Sequence, residues 1–135
     1  MTESFWAVPQ APTMRTPLSI LREQAAALTQ KTSGLLVGEV TTPKQSSADD
    51  ELSIGLSIKV PALNNYVYHI LNYQQPIVLY PGTLRTRFDN DWHEVPDHQA
   101  FIDLLQKILS SAEVGRIIEA LLAQARELTD TEIPF

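Results

Sequence analysis

The spacing of apolar positions changes along the chain and divides it into elements. Over residues 17–31, Leu18, Leu21, Ala25 and Leu28 recur every three or four residues beside Arg22, Glu23, Gln24 and Lys31. This spacing predicts an amphipathic helix with one buried stripe. Thr16 and Pro17 supply its start, a hydroxyl able to cap and a proline at the first helical position. The helix is expected to run to about residue 32, with Gly34 as the left-handed residue that ends it.

From Leu35 the period shortens. LLVGEVTT (35–42) reads as a strand, and PKQSSADD (43–50) as an exposed loop. In ELSIGLSIKV (51–60), Leu52, Ile54, Leu56, Ile58 and Val60 alternate with Ser53, Gly55, Ser57 and Lys59. Strict two-residue alternation predicts a strand with one buried face and one small, polar face. PALNN then turns the chain into YVYHILNY (66–73), a third strand rich in aromatic and β-branched residues. Pro76 and Pro81-Gly82 bracket a short fourth strand, IVLY (77–80), and TLRTRF (83–88) supplies a fifth. Consecutive strands joined by short links predict an antiparallel meander.

Two helical stripes follow. Phe101, Leu104, Leu105, Ile108 and Leu109 form the first; Val114, Ile117, Ile118, Leu121, Leu122, Ala125 and Leu128 form the second. Ser110 and Glu113 have capping-box spacing, which predicts a new helix start between them. The expected fold class is therefore α+β: an N-terminal helix, about five antiparallel strands, and two C-terminal amphipathic helices packed on one sheet face. A single domain is expected over 16–129, with an extended tail at 1–15 and a short tail at 130–135. Pro9 and Pro12 keep the N-terminal tail out of a regular helix, and its Phe5, Trp6 and Val8 are expected to dock on their own domain or on a second copy.

Composition narrows the functional classes. The chain has 135 residues, 44% of them hydrophobic, enough for one core and too few for two ordinary domains. Ten basic against sixteen acidic side chains give a net charge of −6, a field that repels polyphosphate and steers basic partners. Nucleic acid is not an expected partner. Cysteine is absent, which removes disulfides, thiol nucleophiles and Cys-based metal sites and fits a cytoplasmic location. The first residues lack a basic start, and no run of about eighteen apolar residues occurs, so neither a signal peptide nor a membrane span is expected. Gly34, Gly38, Gly55, Gly82 and Gly115 are not grouped as a phosphate-binding loop requires, and no cofactor is expected.

One stretch concentrates ligand-type residues. HEVPDH (93–98) lies downstream of Asp89 and Asp91 and is one position away from a His-Glu-x-x-His zinc motif. His93 and His98 are five residues apart, however, so on a helix the second would turn roughly 140° from the first, and Pro96 interrupts the interval. Asp97 suits a helix cap better than a ligand set. An EF-hand reading also fails, because Glu94 stands where the turn glycine belongs and Ala100 where the bidentate Glu belongs. Asp89, Asp91, His93, Glu94 and His98 thus remain candidates only for an improvised metal or small-molecule site; the expected structure is a solvated connector with Trp92 tucked onto the core. His69 is expected to share a face with Val67, Leu71 and Tyr73 as a hydrogen-bonded structural residue.

A surface remains to be explained. Ser53, Gly55 and Ser57 form a small, uncharged strip that lets another element approach closely. Tyr66 and Tyr68 add aromatics of the kind enriched at interfaces, and Arg85 with Arg87 can bind a carboxylate or phosphate, although acids opposite them on the sheet are the expected arrangement. Together with Phe5 and Trp6 these are the partner-binding candidates. The expected function is a non-catalytic protein-binding module, adaptor, chaperone-like or immunity-like, whose sheet or helix face holds a polypeptide or a second copy. The alternative is a small-molecule or metal-dependent activity centred on the Asp89–His98 loop.

Overall fold

The computed structural model describes residues 4–8, 15–45 and 51–129. Helix α1 (Pro17–Lys31) begins where the sequence places it, with the Thr16 hydroxyl accepting the Ser19 N–H at 3.1 Å. It buries Pro17, Ile20, Leu21 and Ala25. Its end is a Schellman turn, in which Gly34 N–H donates to the Thr29 carbonyl and Ser33 N–H to the Gln30 carbonyl. Two residues take positive φ there, Ser33 at 53° and Gly34 at 83°, so Gly34 is the second left-handed residue and not the only one.

Six strands follow: β1 (Val37–Val40), β2 (Lys44–Gln45), β3 (Leu52–Val60), β4 (Tyr66–Gln75), β5 (Gly82–Thr86) and β6 (His93–Val95). They form one sheet in the order β1-β3-β4-β5-β6, with β2 also paired to β3, and every pairing is antiparallel. Helices α2 (His98–Leu109) and α3 (Ala112–Thr129) follow the sheet. The α+β architecture is the expected one, but two strands lie elsewhere than expected. IVLY is a turn: Leu79 takes φ 81°, its N–H returns to the Pro76 carbonyl, and Ile77 and Val78 are 75% and 68% exposed. Reversing the chain between β4 and β5 leaves that segment no room to pair. The sixth strand instead lies in the expected connector, where Val95 pairs with Gly82 and is buried. Lys44 and Gln45 pair with β3 inside the expected loop at 43–50; residues 46–50 of that loop lie outside the described ones.

The core lies between one sheet face and the helices. Ile54, Leu56, Ile58 and Val60 of β3 are buried there, as the alternation predicts. Tyr73 of β4 meets Phe101 of α2 edge-on at 4.9 Å and gives its hydroxyl hydrogen bond to the Leu79 carbonyl at 2.8 Å. Burial of this hydroxyl, and then the nearby Tyr80, push its pKa well above the usual tyrosine range. Asp97 caps α2 by accepting the Ala100 N–H at 2.8 Å. The α3 cap shifts by one residue from the expected box. Ser111 accepts the Val114 N–H, because α2 continues to Leu109 and the Ser110 hydroxyl is already donated to the Gln106 carbonyl.

Strand β4 carries the irregularity that shapes the rest. Leu56 pairs with Leu71 but Ser57 pairs with His69, which leaves Ile70 as the extra residue of a bulge. Because side-chain direction has period two, one inserted residue exchanges the faces of everything beyond it. Leu71 and Tyr73 therefore face the core, whereas His69 and Val67 face away from it. The expectation that all four share a face is corrected by this bulge.

At the other side of the sheet, Gly38 of β1 gives its N–H to the Thr29 hydroxyl of α1 at 2.9 Å. A Cβ at Gly38 would stand 2.4 Å from the Ala25 backbone. Gly38→Ala is therefore expected to force α1 off the sheet and destabilise the protein by about 1–3 kcal/mol. Gly115, at the start of α3, has nothing within 4 Å of such a Cβ, and Gly115→Ala should stabilise by about 0.5–1 kcal/mol through helix propensity. Urea denaturation of both variants checks the opposite signs; equal effects would contradict this packing.

Candidate functional site

The outward face of the sheet is built by the residues that alternate with the core. Across β3, β4 and β5, Gly55 pairs with Asn72 and Asn72 with Arg85; one step along, Ser53 pairs with Gln74 and Gln74 with Thr83. The bulge adds His69, paired with Ser57. Side chains on this face bond to each other: the Ser53 hydroxyl donates to Asn72 Oδ1 at 2.9 Å, and Ser57 Oγ lies 2.8 Å from His69 Nδ1. The Gly55 N–H donates to the Thr41 hydroxyl at 2.7 Å. A groove of about 450 Å³ runs over this surface, lined by Gly55, His69, Asn72, Arg85, Arg87 and Asn90 among others.

Both arginines are held by aromatic rings. The Arg85 guanidinium lies 5.7 Å from the centre of the Trp92 ring, and that of Arg87 4.5 Å from the centre of the Tyr68 ring. The acid expected opposite Arg85 is not there, since its cross-strand neighbour on β4 is Asn72, and Arg87 lies beyond the end of β5. Among the described residues the ion pairs are Arg15–Glu23 and His93–Asp89, and neither arginine belongs to one. Trp92 is 42% exposed instead of tucked onto the core, because its ring faces Arg85.

The other candidates separate. Ser53, Gly55, Ser57 and Arg85 share the outward face by register; of the candidates Gly55, Arg85 and Arg87 line the groove, Arg87 from beyond the end of β5 at the border where Tyr68 lies. Tyr66 and Tyr68 pair with Val60 and Ile58, which places them on the helix-covered face. Phe5 and Trp6 are 95% and 85% exposed, so the expected docking of the tail on its own domain is not what the structure shows. Sequence reasoning missed His69, Asn72 and Asn90 as groove residues. The available signal was Ile70-Leu71, two successive apolar residues inside an alternating strand, which is how a bulge reads.

The Asp89–His98 stretch does not gather into one site. Asp89 Oδ2 bonds His93 Nε2 at 2.9 Å, and Asp89 Oδ1 accepts the Asp91 N–H at 2.9 Å. Glu94 pairs across to Thr83 on the outward face, and the His98 ring stands edge-on to Tyr80. Among the described residues no three His, Cys, Asp or Glu side chains are placed to hold a metal ion. The Ser57–His69 pair resembles the start of a nucleophilic set, but Ser57 is only 4% exposed and, among the described residues, no carboxylate is hydrogen-bonded to His69. An apolar cleft of about 210 Å³ lies between α1, α3 and the sheet, lined by Leu28, Ile58, Ile70 and Ile118. No helix of the described residues is long and apolar enough to cross a membrane. Comparison with family models, curated proteins and solved structures returns no match for this chain.

The Asp89 interactions carry a pH dependence. The Asp91 N–H first, and then His93, hold the Asp89 carboxyl below its ordinary pKa. A depressed folded-state pKa contributes stability that is full above the unfolded value and is lost as pH falls through the folded one. Wild type should therefore exceed Asp89→Asn in stability at about pH 5, and that margin should shrink as pH falls toward 2. Thermal melts of both proteins across this range check it, and a margin that persists unchanged at pH 2 would contradict the assignment.

Proposed function

We propose that this chain is a non-catalytic binding protein that holds a polypeptide partner on the open face of its sheet. One observation carries the reading: the helices pack on one face, and on the other lies a groove with exposed arginines that no acid of the described residues neutralises. Buried polar sheet surfaces normally find partners within the fold, and an exposed, donor-rich groove is suited to finding them in another molecule. Adaptor, chaperone-like and immunity-like proteins are the functional class that fits. The absence of cysteine supports action in the cytoplasm. A second copy of the chain is one such polypeptide.

Gly55 offers the test, because it lies in the groove floor. The nearest atoms to a Cβ there are the Thr41 hydroxyl at 3.3 Å and two atoms at 3.7 Å, so a leucine side chain fills the groove with little disturbance of the core. Peptides selected by display on the wild-type protein are expected to bind Gly55→Leu at least about tenfold more weakly, with the melting temperature nearly unchanged. Equal affinity for both proteins, or no selected peptide at all, would refute the reading.

A further inference from the structure

The open face carries charge in a pattern that fits itself. Arg85 of β5 and Glu94 of β6 stand at one side of it, and Glu39 of β1 with Lys44 of β2 at the other. Each is outward because its partner is: Arg85 pairs with Asn72, Glu94 with Thr83, Glu39 with Ser57 and Lys44 with Ser53. All four are exposed, and none belongs to an ion pair among the described residues. The remaining charge on the strands of this face, Lys59, lies at the far end of β3 opposite Val37 and Val67. Between the two charged sides run Ser53, Gly55 and Ser57, whose small side chains let a second layer come close.

The register fixes how far along the strands each charge stands. Through the pairings Glu94 lines up with Thr83, Gln74, Ser53 and Lys44, so this acid and this base occupy one level at opposite sides of the sheet. Arg85 lines up with Asn72 and Gly55, two residues from Ser57, the level of Glu39. Two residues of strand are about 7 Å, a distance that an arginine side chain reaches across.

Sheets pack face to face with their strands nearly aligned, and most oligomers are two-fold dimers. A two-fold axis along the central strands β3 and β4 keeps every level and exchanges one side of the sheet for the other. It sets β5 and β6 of one copy over β1 and β2 of its partner, and so brings Arg85 to Glu39 and Glu94 to Lys44. Symmetry makes each pair twice. An axis across the strands would instead set Arg85 against its own counterpart. Resting on the open-face reading above, we infer that the polypeptide held on this face is a second copy of the chain, packed sheet to sheet with these two pairs across the interface. The net charge of −6 opposes association at long range, but charges more than about 8 Å apart are largely screened at physiological salt, so the contacting pairs decide. At about 3.3 Å per residue and 4.8 Å per strand, the face covers on the order of 500 Å². Two copies then bury about 1,000 Å², the lower bound for a specific interface, which suits a dimer in exchange with its monomer.

Sedimentation velocity of the whole chain at physiological salt, from about 1 μM to about 1 mM, tests this. Wild type is expected to pass from monomer to dimer across that range. Arg85→Glu and Glu39→Arg each set like charges together twice and should weaken the dimer at least about tenfold, whereas the double variant Arg85→Glu/Glu39→Arg should return to within about threefold of wild type. Glu94→Lys and Lys44→Glu should behave in the same way. Thermal melts of the dilute variants check that each monomer is folded. A wild type that stays monomeric throughout overturns the inference, and so does a dimer indifferent to the single reversals or one that the double reversals fail to restore. Peptide display separates this outcome from the open-face reading, because it uses protein dilute enough to be monomeric. A monomeric wild type whose selected peptides bind Gly55→Leu poorly overturns the second copy and leaves the open face to another polypeptide. A monomer that selects no such peptides overturns both.

Discussion

The bulge at Ile70 is the constraint on which the rest of this structure depends. Strand β4 must supply Leu71 and Tyr73 to the core, yet its first half runs on the opposite parity, with Val67 and His69 turned outward. Without an inserted residue, one half would place its apolar side chains in water. With it, Ile70 and Leu71 are both buried, Tyr73 reaches Phe101, and His69 stands on the same surface as Asn72 and Arg85. The core and the groove are thus two outcomes of one register shift.

Much of the architecture was legible because it follows from local rules. The stripes of α1, α2 and α3, the Thr16 and Asp97 caps, and the alternation along β3 each need only a few neighbouring residues to be read. What was illegible depends on tertiary context. IVLY has strand composition, but the turn from β4 to β5 consumes it, whereas His93–Val95 has loop composition and becomes a strand because β5 offers a free edge. The site was half legible for the same reason. Arg85, Gly55 and Ser53 follow from alternation, while His69 and Asn72 required the bulge, and the absence of acids beside the arginines required the pairing of β4 with β5.

Placing arginine on aromatic rings resolves a conflict between order and exposure. A free surface arginine loses side-chain entropy on binding, and one paired to a carboxylate is already satisfied. Trp92 and Tyr68 order the side chains without using their hydrogen-bond donors. This explains why Trp92, a large aromatic residue next to buried strands, stays 42% exposed: its place is beside the guanidinium and not inside the core.

The link between Gly38 and Thr29 has a consequence for how another chain can approach. An uncovered edge strand invites a foreign strand to extend the sheet through backbone hydrogen bonds. On the β1 side, the Gly38 N–H is already given to α1, and at the far edge β6 is only three residues long and is followed directly by Pro96. Among the described residues neither border offers a long row of backbone groups to template growth. The fold thereby gains protection against edge-to-edge self-association, and the side chains of the sheet surface, not the backbone of its margins, are what it presents to other molecules.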